Sequence, residues 1–219
     1  ATLGGAIEAN LRNAVAAVAL ATGLGLPLSA IVAGLAQAGA GFDDNPGRFN
    51  LLRAGPVRVL LDAASCREDV AALRAALLGL PPLRPRVLAL THAGNYPDDT
   101  VLAFAAALAG GFDRYVCYDW TERRGRRDGE IAALLAGALV SAGVPPDAVA
   151  VVPDEGEAVR TALSAAGAGG LAVLVMQDQP EPLRDVLRSA GVDGWAFAGV
   201  GDWCDGARRD PLASEGARS

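Results

Sequence analysis

An open α/β domain, with a mostly parallel sheet covered by helices on both faces, is the fold this sequence predicts, and three observations carry the prediction. Short, continuous apolar runs recur at Val57–Leu61, Val87–Leu90, Tyr115–Tyr118, Ala148–Val152 and Leu171–Val175, as strands buried on both faces require. Amphipathic segments separate them, at Glu68–Leu78, Asp98–Ala109, Gly129–Ala142, Glu155–Ala166 and Pro182–Ala190. Such alternation is the mark of βαβ crossovers. The third observation is polar: each run but one is followed by a cluster of small or hydrogen-bonding residues. These are Asp62-Ala63-Ala64-Ser65, Thr91-His92-Ala93-Gly94-Asn95, Asp119-Trp120-Thr121-Glu122 and Gln177-Asp178-Gln179. In open parallel sheets ligands sit beyond the carboxyl ends of the strands, so these clusters carry the functional weight.

Taken in order, the chain starts with helices. From Ile7 to Gly23 the residues Leu11, Val15, Val18 and Leu20 recur at roughly helical spacing, and Gly23-Leu24-Gly25 stops the run. A second helix, Leu28–Ala38, follows Pro27. Next comes the stretch DNPGRFNLLRAGPVRVLLDAASCRED, from Asp44 to Asp69. It reads as a tight Pro46-Gly47 turn that aims Arg48, then two short extended runs, with Asp62 at the tip of the second and small residues after it. The α/β domain is placed at residues 45–205, the preceding helical segment at 1–44, and the Arg-, Ser- and Gly-rich residues 206–219 are expected to be a disordered tail.

Composition narrows the function. A net charge of −6 and a pI near 4.8 disfavour affinity for nucleic-acid backbones, which calls for a basic surface. The cysteines, Cys66, Cys117 and Cys204, are scattered and include no CxxC pair, so neither a zinc site nor a disulfide framework is expected. No stretch reads as a membrane span or a signal segment, and a reducing, cytoplasmic setting is the simpler expectation. The chain opens on Ala1, which fits a piece of a longer protein and equally the removal of a methionine.

Five segments in order carry a resemblance. EANLRNAVAAVAL resembles the N-x-x-N-A-x-A-A helix that closes the central domain of Mur ligases. NPGRFN resembles the P-G-R motif at the entrance to their C-terminal domain, and VLLDAASCRED stands where the family has a D-Y-A-H-N-P strand end. DRYVCYDWTERRGRRDGEIAALLAGAL and DEGEAVRTALSAAGAGGLAVLV are similar to the strand, acceptor loop, helices and final strand that follow. The resemblance runs over most of Glu8 to Arg188 and implies a Rossmann-like C-terminal lobe, preceded by the end of a central domain. Arg-Gly-Arg followed by Gly-Glu brings it nearest to the Mur-ligase-like region of cyanophycin synthetases.

What the resemblance implies is specific. In such ligases ATP and Mg²⁺ activate a carboxylate as an acyl phosphate, which an amino acid or peptide then attacks through its amine. This chain would supply the closing lobe, some nucleotide contacts and part of the acceptor site, and would hold no cofactor tightly alone. Asn13, with Asn10 beside it, matches the asparagine that reaches adenine, whose edge needs both a donor and an acceptor; the alternative is that Asn10 caps or decorates an alanine-rich helix. Arg48 matches the arginine that contacts the ribose and phosphate region, a role suited to a fixed guanidinium fork. Asp62 matches the carboxylate that accepts ribose hydroxyls. The alternative is an N-cap for the helix that begins near Glu68, a task that the gap of six residues suits less well to Asp62 than to Ser65. Arg123, Arg124 and Arg126, with Arg127, fall in the acceptor loop, either to pair with a substrate carboxylate or to form a solvated basic loop.

Departures from the family pattern keep a second function class open, that of a non-catalytic binding or assembly module. The aromatic, histidine and asparagine after the family aspartate are replaced by Ala63-Ala64-Ser65-Cys66-Arg67, and Tyr96-Pro97 replaces a charged pair. No G-x-x-x-x-G-K-[ST] occurs in the chain, so the groups that hold β- and γ-phosphates must come from elsewhere. No Ser/His/Asp or metal constellation can be assembled around His92, the chain's single histidine, which reads as structural, and Cys66 lacks a partner base. Oligomeric state is left open, a homo-oligomer included.

Overall fold

The computed structural model describes residues 8–38, 41–177, 180–193 and Trp203; the expected disordered tail from residue 206 lies outside them. Two helices, α1 (Glu8–Gly23) and α2 (Leu28–Gln37), precede the α/β body. The body runs β1 (Asn50–Ala54), β2 (Val57–Asp62), α3 (Arg67–Gly79), β3 (Arg86–Leu90), α4 (Asp98–Leu108), β4 (Arg114–Tyr118), α5 (Glu130–Ser141), β5 (Val149–Val152), α6 (Glu155–Ala166), β6 (Leu171–Val175) and α7 (Pro180–Ser189). A 3-10 turn at Pro146–Ala148 takes the first residue of the run predicted as the fourth strand.

The strands form one six-stranded sheet in the order β1-β2-β6-β3-β4-β5. Pairing is parallel throughout except at β1, which folds back antiparallel on β2 through Gly55 and Pro56, Gly55 taking a φ of +53°. A single glycine in the left-handed region allows that reversal without a Cβ clash.

Side chains alternate across the sheet, as the strand period of two demands. Leu60, Leu88, Tyr115, Cys117 and Val173 point to one face, where α3, α4 and α5 cover them. Val59, Leu61, Val87, Val116, Ala172 and Leu174 point to the other, under α6 and α7. Cys117 is sealed in the first layer, and burial pushes its thiol up to about 12. It is a core residue without thiolate chemistry.

Each outer strand ends differently. The free edge of β1 is covered: Asp193 N–H donates to the Arg53 carbonyl at 2.9 Å, and the Trp203 indole donates to the Leu52 carbonyl at 2.8 Å. On the other edge β5 leaves Val151 exposed. Helices α1 and α2 expose Leu11, Val15, Leu20, Leu28 and Val32, and the turn between them Leu24, apolar residues that nothing among the described residues covers. Among the described residues no helix is long and apolar enough to cross a membrane.

Candidate functional site

The carboxyl ends of the strands hold two clusters. The first is built on the turn before β1. Gly47 takes a φ of +69°, and its N–H donates to Asn50 Oδ1 at 2.7 Å. Asn50, fully buried at the start of β1, also donates through Nδ2 to the carbonyls of Asn45 at 2.9 Å and Gly41 at 3.3 Å. One side chain thus uses its acceptor and both donors to hold the turn shut. Sequence reasoning assigned Asn50 no role, although an asparagine three residues past the Pro46-Gly47 turn was the available signal. The Gly47 carbonyl accepts from Ala63 N–H at 2.8 Å, which fixes the Arg48 turn to the end of β2.

Asp62 closes the arrangement from the strand side. It is buried, and its Oδ2 accepts from Phe49 N–H at 3.1 Å, holding Phe49 at a φ of +51°. Few non-glycine residues adopt that conformation unless their surroundings enforce it. Burial pushes the Asp62 carboxyl up to about 7, against the pull of the Phe49 amide, the Arg48 guanidinium and the Ala64 amide, and with a push from Asp69.

Helix α3 starts beside it. Cys66, not Ser65, is the N-cap residue, because Asp69 Oδ2 reaches back to Ser65 N–H at 2.9 Å, Ser65 Oγ at 3.3 Å and Cys66 N–H at 3.3 Å. Although burial pushes Asp69 up, those donors outweigh it and leave the carboxyl below the usual range. Asp62 does not cap the helix. The Cys66 thiol is raised, chiefly by burial, the opposite of an activated nucleophile.

A cavity of about 280 Å³ opens over these groups. Asn10 and Asn13 line it from α1, Asn45, Arg48 and Phe49 from the turn, Asp62 from β2, and Asp69 and Ala72 from α3. The fold thus gathers Asn10, Asn13, Arg48 and Asp62 in one place. His92, nearby, bridges the ends of two strands: Nδ1 lies 3.2 Å from the Ala93 carbonyl and Nε2 3.1 Å from that of Ser65, with Tyr96 and Phe104 edge-on to the ring. Among the described residues, no group of three or more His, Cys, Asp or Glu is placed to hold a metal ion.

The second cluster is the arginine loop after β4. Asp119, buried, accepts from Gly129 N–H and, at 2.9 Å, from Ala132 N–H, capping α5 from a distance. Arg126 is spent internally: Nε donates to the Gly94 carbonyl at 3.0 Å, Nη2 to the Tyr96 carbonyl at 2.7 Å, and Nη1 meets Asp98 at 2.6 Å and Glu130 at 2.8 Å. In return Arg126, with the Arg127 amide, pulls Glu130 down to about 2. Arg123 pairs with Asp128 at 3.0 Å and Asp119 at 3.5 Å and donates to the Trp120 carbonyl. Arg124 instead lies over the Trp120 ring, 4.5 Å from its centroid. The loop is therefore neither a uniformly solvated basic run nor four free guanidinium groups.

Its closeness to the β3 end makes Gly94 irreplaceable. A Cβ there would lie 2.2 Å from the Arg123 carbonyl oxygen and 2.7 Å from Arg126 Cγ. Gly94→Ala should cost about 1–3 kcal/mol through forced displacement of the loop, read from the urea midpoint. An unchanged midpoint would show that the loop shifts freely.

Comparison with known proteins adds lineage. The family described as "Mur ligase, glutamate ligase domain" matches residues 47–176. A cyanophycin synthetase of Crocosphaera subtropica (strain ATCC 51142 / BH68) is 28% identical over 162 residues, covering 74% of this chain and 18% of that protein. Among solved structures, a pseudomurein peptide ligase type C from Methanothermus fervidus aligns with a TM-score of 0.56 at 16% identity, over 82% of this chain and 35% of the other. A Mycobacterium tuberculosis folylpolyglutamate synthase complexed with ADP aligns with a TM-score of 0.50 at 24% identity, over 65% and 32%. These two structures share the fold; the chain spans 18% of the curated relative and about a third of the solved chains.

Proposed function

The chain belongs to the Mur ligase family through its glutamate ligase domain, and from that footing we propose that it is the C-terminal lobe of an ATP-dependent ligase that forms amide bonds between a carboxylate and the amine of an amino acid or peptide. One observation carries the reading: Asn10 and Asn13 from a helix far upstream share a single cavity with Arg48 and Asp62. In the proposed complex Asn13, with Asn10, hydrogen-bonds the adenine edge, Asp62 accepts from the ribose hydroxyls and Arg48 faces the phosphates. The phosphate-binding loop and Mg²⁺ would belong to a preceding ATP-binding domain. The uncovered apolar residues of α1 and α2 support reading residues 1–44 as the end of that domain, since an exposed apolar face of this kind marks a contact surface.

Titrating the chain with ADP while following amide chemical shifts tests the reading. Shifts are expected at Asn10, Asn13, Arg48 and Asp62, and Asp62→Ala should weaken binding by about tenfold or more, as loss of a charge-assisted hydrogen bond implies. The second reading, a binding or assembly module without catalysis, is favoured by the engagement of Asp62 with the Phe49 amide and by the small residues Ala63 and Ala64 beside it. Should millimolar ADP move none of these resonances, that second reading holds.

A further inference from the structure

We propose that the cavity walled by Arg74 and Arg86, at the amino ends of the strands, is a ligand site of its own, made for a small carboxylate that carries a short apolar tail. It holds about 100 Å³ and is lined by Arg74, Leu77 and Leu78 of α3, by Arg86 at the start of β3, and by the backbone of Gly110 and Gly111 and the ring of Phe112 between α4 and β4. It lies at the opposite end of the sheet from Asp62, and none of its residues lines the cavity over Asp62. The proposal therefore holds whether or not the chain binds a nucleotide.

Charge balance carries the assignment. The carboxylate beside the two arginines, Asp113, is taken: both its oxygens accept from Arg84 Nη1 at 3.0 Å, and Oδ2 also accepts from the Arg86 amide at 2.6 Å. Arg86 Nη2 reaches the Leu77 and Pro81 carbonyls only at 3.3 and 3.4 Å, and its buried Nε has no hydrogen-bond partner among the described residues. A buried donor left unmet costs free energy that a bound acceptor restores. Burial, with the Arg84 charge beside it, holds the Arg86 guanidinium below the usual arginine range, and Asp113 opposes this only in part, so a further anion is favoured there. Arg74 completes the pair. Its Nη1 is anchored on the carbonyls of Ala107, Ala109 and Gly110 at 3.2, 3.1 and 3.5 Å, which leaves Nε and Nη2 for a ligand.

The remaining walls are apolar. Leu77 is buried, the Phe112 ring is set edge-on to Tyr115 at 5.7 Å, and Leu78 stands 86% exposed at the rim. Gly110 and Gly111, at φ +80° and +89°, present backbone without a Cβ. A phosphate would meet two cations and little else, leaving its outer oxygens stripped of water. A carboxylate needs only one edge of donors, and its chain fills the apolar side. The volume equals roughly three waters at ~30 Å³ each, which limits the tail to a few carbons.

The probes are butyrate, its uncharged isostere butyramide, acetate and inorganic phosphate, titrated into the chain at constant ionic strength with arginine Nε–H and leucine methyl resonances as readout. Butyrate should move the signals of Arg74, Arg86 and Leu77, and butyramide should not. Acetate, two methylenes shorter, should bind about tenfold more weakly, as the transfer free energy of two methylenes implies. Arg74→Ala should weaken butyrate binding by about tenfold or more. Because Arg74 also holds the end of α4, Leu78→Glu supplies the check: it changes an exposed rim residue, should leave the urea midpoint in place, and should weaken butyrate by a similar factor through like-charge repulsion. No response to butyrate, equal binding of butyramide, phosphate binding these resonances more tightly than butyrate, or an affinity unchanged in both variants would overturn the proposal.

Discussion

Replacing Asp62 with asparagine is expected to raise stability at pH 8 by an amount on the order of 4 kcal/mol and to leave it nearly unchanged at pH 4. The sign follows from linkage. Because burial holds the Asp62 carboxyl at about 7 instead of 3.8, the folded state keeps a proton that the unfolded state has released between those values. Stability therefore falls as pH rises from about 4 to about 7, and the loss is complete above that range. Three units at about 1.4 kcal/mol each set the magnitude. Asparagine keeps an acceptor for the Phe49 amide but cannot ionise, so its denaturation midpoint should lack this slope. Parallel pH profiles for the two proteins would show that Asp62 ionises freely. The comparison bears on function too, because a carboxylate that destabilises the empty fold is what a site retains when a ligand supplies its missing hydrogen bonds.

Trp203→Ala should cost about 3–5 kcal/mol, the range for truncating a large buried aromatic. The indole is fully buried in the layer that contains Phe49 and Leu51, its N–H donates to the Leu52 carbonyl at 2.8 Å, and its own carbonyl accepts from Arg53 Nη1 at 3.3 Å. Removing it would open a cavity and uncover the outer edge of β1. Since domains are commonly stable by about 5–15 kcal/mol, the loss should show plainly in a urea titration. Trp203→Phe restores much of the volume without the hydrogen bond and should recover most of the midpoint. Amide exchange at Phe49 should quicken in the alanine protein, because Phe49 packs in the same layer. A midpoint unchanged by alanine would mean that Trp203 does not hold the edge.

The cavity shared by α1, the turn before β1, β2 and α3 was legible in outline. Arg48 and Asp62 stand out because Pro46-Gly47 and the end of a buried strand are local signals, and Asn10 and Asn13 because they share one helix. That these groups face a common cavity is a long-range fact, produced where α1 lies against α3. Asn50 escaped notice because its role consists of three bonds to backbone atoms that only the folded turn brings within reach. The arginine loop was the least legible. Four like charges in five positions suggest solvent or ligand, and which of them is consumed depends on Gly94, Tyr96 and Asp98, supplied by the end of β3 and the start of α4.

By itself, the sequence determined the alternation of strands and helices, the parallel character of the sheet and the glycine turn at its start, because each follows from patterns within about 15 residues: apolar runs, helical spacing and backbone freedom at glycine. Tertiary structure alone decided the strand order, with the last strand, β6, inserted between β2 and β3. It also decided that Asp62 holds its proton near neutrality and that Arg126 is bonded inward while Arg124 faces solvent. Strand pairing, desolvation and ion pairing are sums over neighbours that lie far apart in the chain, so no local pattern encodes them.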